Sequence, residues 1–195
     1  KNIQTNFKTR KEALNYCAKI QLLAIKKGYL LASYDTIQEH ADSSLIFSFT
    51  TGQKFKSVSL ITSEEDLRKI KKNTSLNERL LRDIPFSPIQ LTNALKSIHN
   101  SFLNSGYPFT TTQLDSIDFN GENLNAKLNI ITGNLYTFTK VHIKGDSSIS
   151  YKFISNLIDI SEGDVFSEIK LKNISKKIKQ LSFIKEIKPH ELLFT

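Results

Sequence analysis

A single cysteine, Cys17, stands in a chain of 195 residues, so no intrachain disulfide can form. A disulfide points to an oxidising compartment more safely than its absence points away from one, and the periplasm stays open. Cys17 falls on the apolar face of the first amphipathic stretch and reads as a buried structural thiol rather than a reactive one. Methionine is absent and the chain begins at Lys1, the expected pattern of a processed or excised segment whose targeting signal lies elsewhere. No apolar run reaches the roughly 18 residues of a spanning helix. Arginine is scarce beside lysine, which supplies most of the net charge of +8.

Catalytic signatures are missing as well. There is no phosphate-cradling glycine loop, no nucleophile elbow and no H-E-x-x-H run. His40, His99, His142 and His190 are scattered, and none has a cysteine or carboxylate at metal-ligand spacing. Glu64, Glu65 and Asp66 follow Ser63, where acidic groups complement the start of a helix dipole. No metal, cofactor or enzymatic activity is therefore expected.

What the chain does have is internal repetition, which decides architecture before any other signal. Thr9 to Glu12 opens an amphipathic stretch that closes at Gly28-Tyr29, and Ser87 to Gln90 opens another that closes at Gly106-Tyr107. Starts and stops are both offset by 78 positions, and Phe166-Ser167 repeats Phe86-Ser87 at an offset of 80. The first stretch places Ala13, Tyr16, Cys17, Ile20, Leu23 and Ala24 at helical spacing. Thr9 with Glu12 forms a capping box, and Gly28 supplies the left-handed stop. The second places Leu91, Ala94, Leu95, Ile98 and Phe102 on one face, after Ser87, Gln90 and a proline at the first helical position.

Extended runs follow each helix. Ala32 and Tyr34 begin one, His40 to Ser44 reads as a turn, and Leu45, Phe47 and Phe49 alternate as a returning strand. In the second copy an extended run covers Phe109 to Phe119, and Asn120-Gly121-Glu122-Asn123 is a hairpin turn. Leu124, Ala126, Leu128 and Ile130 then alternate along the return. A further strand follows Gly52 (Phe55, Val58, Leu60) and Gly133 (Tyr136, Phe138, Val141, Ile143). Short helices are expected at Ser63 to Lys72 and at Ser150 to Ile158. The unit is strand, helix, helix, strand, strand.

That order, with Gly28-Tyr29 and Gly106-Tyr107 ending the long helices, resembles the POTRA (polypeptide-transport-associated) domain. Gly133-Asn-Leu-Tyr-Thr-Phe-Thr-Lys-Val-His-Ile-Lys-Gly145 resembles the family's first strand, and Gly163-Asp-Val-Phe-Ser167 resembles the start of its second helix. The first copy has Leu60-Ile61-Thr62 in place of a glycine matching Gly145, and the third lacks a Gly-Tyr stop. The resemblance implies an α+β chain of tandem β-α-α-β-β modules, each a three-stranded mixed sheet covered by two helices. The modules would span 1–52 (helix plus hairpin), 53–132 (complete) and 133–195 (nearly complete).

Tandem POTRA domains form the periplasmic arm of outer-membrane assembly proteins of the BamA and TamA type. By resemblance the chain would lie in the periplasm, with a barrel outside it, and bind unfolded outer-membrane protein precursors and accessory assembly subunits. Such binding would use β-strand augmentation along Leu30 to Gln38 and along Phe109 to Phe119. The candidate edge is Thr110, Thr111, Thr112, Gln113 and Leu114, which is β-branched, polar and free of lysine and proline. An ordinary solvent-facing edge explains the same composition equally well. Lys170, Lys172, Lys176, Lys177, Lys179, Lys185 and Lys188 crowd the last segment. They read first as a solvated helix face. The sharper reading brings Lys172, Lys176, Lys177 and Lys179 to an anionic lipid surface. Two alternatives stand beside these: a two-partner secretion transporter with the same modules, and a basic nucleic-acid-binding repeat protein. Nucleic acid is not the expected partner, because stacking aromatics and arginine forks are lacking among the lysines.

Overall fold

The computed structural model describes residues 6–40, 45–73, 81–82, 84–145 and 149–194. The expected turn at His40 to Ser44 therefore lies largely outside the described residues. Eleven elements follow in order. They are α1 (Arg10–Lys26), β1 (Ser33–Glu39), β2 (Leu45–Thr50), β3 (Ser57–Ile61), α2 (Glu64–Asn73), β4 (Ile84–Pro85), α3 (Pro88–Leu103), β5 (Thr111–Asn120), β6 (Asn123–Ile131), α4 (Tyr151–Ile158) and α5 (Glu168–Ile178).

Local chemistry sets the helix ends. Thr9 Oγ1 accepts the Glu12 N–H at 3.2 Å, and Glu12 Oε2 reaches back to the Lys8 N–H at 3.1 Å. The box thus closes one residue earlier than the reciprocal pair expected from Thr9. At the other end Gly28 holds φ +98°. Its N–H bonds Ile25 O at 2.9 Å and the Tyr29 N–H bonds Ala24 O at 3.1 Å, which satisfies two carbonyls the helix cannot. Gly106 repeats this with φ +97°, and the Tyr107 N–H reaches Phe102 O at 3.1 Å.

β1 and β2 form an antiparallel two-stranded sheet, with one extra residue on β1 between Tyr34 and Thr36. The second sheet is mixed, in the order β4-β3-β6-β5. β3 runs parallel to β6, pairing Val58 with Leu124 and Leu60 with Ala126. β4 adds a fourth, two-residue strand antiparallel to β3, which Pro85 tolerates because it lies at an edge. Leu124, Ala126, Leu128 and Ile130 are 1–4% exposed and alternate with Asn123, Asn125, Lys127 and Asn129. One face of this sheet is therefore core and the other polar. Each fully buried aliphatic side chain here stabilises by about 1.5–3 kcal/mol.

The chain divides into two compact units. The first gathers Lys1–Glu64, Asn77–Leu95 and Leu114–Asn129; the second gathers Glu65–Leu76, Lys96–Gln113 and Ile130–Thr195. Within the second, Phe138, Ile154, Ile158, Ile160, Phe166 and Ile174 form a cluster bordered by Leu157, Leu171 and Ile184. Phe194 joins Phe109 and Tyr136 there, with ring centroids at 4.8 and 5.3 Å.

Four expectations need correction. Leu23 is 46% exposed rather than part of the inward face of α1, which is carried by Ala13 and Cys17. The extended runs start late, at Ser33 and Thr111, because the Schellman turns and the residues after them occupy the intervening positions. The strand expected from Tyr136 to Ile143 shrinks to one antiparallel bridge, Thr137 with Val165. β3 owes its five-residue ladder to β6, and the third copy has no hairpin strand among the described residues to supply one. Finally, Thr110 precedes β5 and is 3% exposed.

Candidate functional site: the outer edge of β5

β5 ends the sheet order and, among the described residues, pairs with β6 alone. A strand so placed keeps alternate N–H and C=O groups directed away from its neighbour, a template for another extended chain. The turn Asn120-Gly121-Glu122-Asn123 holds the hairpin shut, with Gly121 at φ +57°. Lys56 and Glu122 make an ion pair beside it, and the Lys56 N–H donates to Glu122 O at 2.8 Å.

The five residues singled out at this edge are not equivalent. The Thr110 hydroxyl lies 3.0 Å from Tyr107 O and 3.3 Å from Thr132 O, turned into the fold. Thr111 and Gln113 are exposed, while Thr112 and Leu114 are half-buried. The usable edge is thus Thr111 to Leu114, and Thr110 anchors its start.

Sequence reasoning missed what happens next. Ser116 holds φ +49°, the left-handed region, in the middle of a strand. The even-numbered residues Thr112 and Leu114 face inward before it. After it the odd-numbered Phe119 meets the buried Phe55, ring centroids 5.4 Å apart. A single irregular residue reverses which side chains face the core, as a bulge does. Ile117 and Phe119 remain 49% and 56% exposed. Serine carries no sequence signal for this conformation.

The lysines of the last segment divide similarly. Lys172, Lys176 and Lys179 are exposed at helical spacing on or just past α5, with Lys172 paired to Glu168 at 2.7 Å. Lys177 is half-buried, and its Nζ donates to Ile158 O at 3.0 Å, satisfying a carbonyl at the end of α4. Lys170 pairs with Asp159 and Asp164. The Ser161 N–H and then Lys170 hold the Asp164 carboxyl below its ordinary value. Cys17 is buried, and loss of solvent pushes its thiol up, which keeps it a poor nucleophile. Among the described residues no group of three His, Cys, Asp or Glu side chains could hold a metal ion, and no helix is long and apolar enough to cross a membrane.

The repeat reappears as geometry. Ser57 pairs with Pro85 and Thr137 with Val165, both partners shifted by 80. The Phe86 N–H bonds Lys56 O at 2.7 Å, and the Phe166 N–H bonds Tyr136 O at 3.0 Å, again shifted by 80. Gly133, Gly145 and Gly163, the remaining motif glycines, hold φ of +69°, +140° and +87°.

No protein-family model and no curated protein sequence matches the chain. Solved structures do. POTRA domains 3–5 of BamA from Haemophilus influenzae are 14% identical, covering 89% of this chain and 70% of that one, with a TM-score of 0.51. BamA from Haemophilus ducreyi lacking POTRA domains 1–3 is 13% identical, covering 66% of this chain and 24% of that one, with a TM-score of 0.42. POTRA domains 1–3 of the periplasmic domain of Omp85 from Anabaena are 12% identical over 65% of this chain and 52% of that one, with a TM-score of 0.29. The first of these carries the comparison, and at its identity it speaks to fold alone: the chain is α+β, with the mixed sheet and helix order of POTRA domains.

Proposed function

We propose that the chain is a periplasmic POTRA region of an outer-membrane β-barrel assembly protein, whose barrel lies outside it. It binds unfolded outer-membrane protein precursors and accessory subunits by strand addition, and it performs no chemistry of its own. The observation that supports this reading is the outer edge of β5, at the end of a mixed sheet and covered by no other described strand. Thr111 to Leu114 on that edge lack charge and proline, the usual devices that blunt such a strand.

Magnitudes favour loose binding. Four or five added backbone hydrogen bonds contribute roughly 0.5–1.5 kcal/mol each, against ~4–15 kcal/mol of lost rigid-body freedom. One edge holds a client briefly, and repeated modules raise effective concentration without new contacts. Transient holding suits a conduit for unfolded chains.

The direct test is photo-crosslinking to an extended peptide from a barrel strand. Thr111→Pro and Gln113→Pro each remove a backbone donor and obstruct pairing. Crosslinking should drop severalfold in at least one variant while circular dichroism stays unchanged. Equal crosslinking in both would remove the edge from consideration.

A lipid surface is a second partner in this reading, supported by the exposed row Lys172, Lys176 and Lys179. Each basic group near anionic headgroups contributes ~1 kcal/mol. Lys176→Glu with Lys179→Glu should lower binding to phosphatidylserine vesicles at least tenfold. Unchanged binding would leave these lysines as a solvated face.

A further inference from the structure

The two Gly-Tyr stops do more than end helices, because each receives the strand that follows. The Phe55 N–H bonds Gly28 O at 3.1 Å, and the Tyr136 N–H bonds Gly106 O at 2.8 Å. These are the joints between successive copies, and they are built differently. A Cβ added to Gly28 would find its nearest neighbour, Phe55 O, at 3.4 Å. One added to Gly106 would fall within 3.0 Å of both Leu135 Cδ1 and Val165 Cγ1. The second joint is in closer contact.

A side chain reinforces it. Asn104, two residues before Gly106, donates from Nδ2 to Asn100 O at 2.8 Å. Its Oδ1 accepts the Ile169 N–H at 2.8 Å and the Ser167 hydroxyl at 3.0 Å. Those partners allow only one orientation of the amide. Ser167 is the N-cap of α5 yet makes no side-chain cap bond of its own. In the preceding copy the matching Ser87 Oγ accepts the Gln90 N–H of its own helix at 3.4 Å. The cap of α5 therefore comes from the end of α3, across the joint. The residue matching Asn104 in the first copy is Lys26, whose ammonium has donors only and cannot serve as that acceptor.

We infer that Asn104 is a positioning residue that locks the joint between the second and third copies, and that the first joint, with Lys26 in its place, is the pliable one. This goes beyond peptide binding and does not depend on it. A cap satisfied by a neighbouring element ties helix stability to docking: α5 loses its cap whenever the joint opens. The lock sets the direction in which the third copy is held relative to α3. The first joint is left to its backbone contact and side-chain packing.

Spin-label pairs in a Cys17→Ala background test it. One pair, at Ser97 and Lys172, spans the second joint, and another, at Lys19 and Asn93, spans the first. The Ser97–Lys172 distance distribution should be at least twofold narrower than the Lys19–Asn93 one. Asn104→Ala should broaden the former at least twofold and speed exchange of the Ile169 amide about fivefold, the loss of one helix cap. Asn104→Asp keeps the acceptor and should restore both. An Asn104→Ala distribution as narrow as the parent's would overturn the lock, as would an Asn104→Asp protein as broad as the alanine variant. Equal widths at the two joints in the parent would overturn the asymmetry.

Discussion

Gly106 combines a backbone requirement with a packing one. Its φ of +97° disfavours any side chain, and Val165 and Leu135 leave no room for a Cβ. Gly121 has φ +57° but nothing within 4 Å of an added Cβ. Left-handed backbone costs an L-residue about 1–2 kcal/mol, and overpacking adds about 1–3 kcal/mol. Gly106→Ala should therefore lose about 2–5 kcal/mol in urea unfolding, and Gly121→Ala no more than about 2 kcal/mol. Comparable losses would mean that the contact at Gly106 is slack. Asp164 offers a pH test. Its carboxyl is held below its ordinary value by the Ser161 N–H and Lys170, so its contribution is complete above the ordinary value and vanishes as pH falls through the lowered one. Wild type should exceed Asp164→Asn in stability above about pH 4 and converge with it in stronger acid; parallel curves throughout would remove the carboxylate's role. The Gly-Tyr pairs were legible in sequence because left-handed helix stops select glycine. Asn104 was not legible, because its partners Ser167 and Ile169 lie 63 and 65 residues away.

Helices announced themselves through caps and period. α1, α3 and α4 begin within a residue of their Thr9, Ser87 and Ser150 signals, since a side-chain cap acts locally. Strands did not. β4 is two residues long and contains a proline, and it exists because β3 offers it a partner. The strand after Gly133 failed for the opposite reason, lacking a neighbour among the described residues, although its alternation is as regular as that of β3. Ser116 is the element-scale surprise, because glycine or asparagine would have marked its left-handed backbone and serine does not. Ser116→Gly should hold or raise stability by up to about 1 kcal/mol, while Ser116→Val should lose about 1–2 kcal/mol. If the valine variant proves as stable as the parent, β5 straightens without strain and the reversal of side-chain faces at Phe119 has another origin.

At the scale of the whole chain, repetition was legible as offsets of 78 and 80 and returned as hydrogen bonds with the same spacing, Phe86 to Lys56 and Phe166 to Tyr136. Less legible was the grouping of segments. Each compact unit takes the end of one copy together with the start of the next, since the Gly-Tyr stop bonds the following strand. Tandem repetition of this kind leaves β5 at an edge in the sense that matters for binding: no described strand covers its outer side. Backbone amide exchange along β5, with and without an extended barrel-strand peptide, measures that availability. Outward amides between Thr111 and Asp115 should exchange freely in the free protein and slow at least tenfold with peptide, with Ser116 marking where the protection ends. Peptide binding that protects some other segment, and leaves β5 exchanging as before, would contradict the central claim.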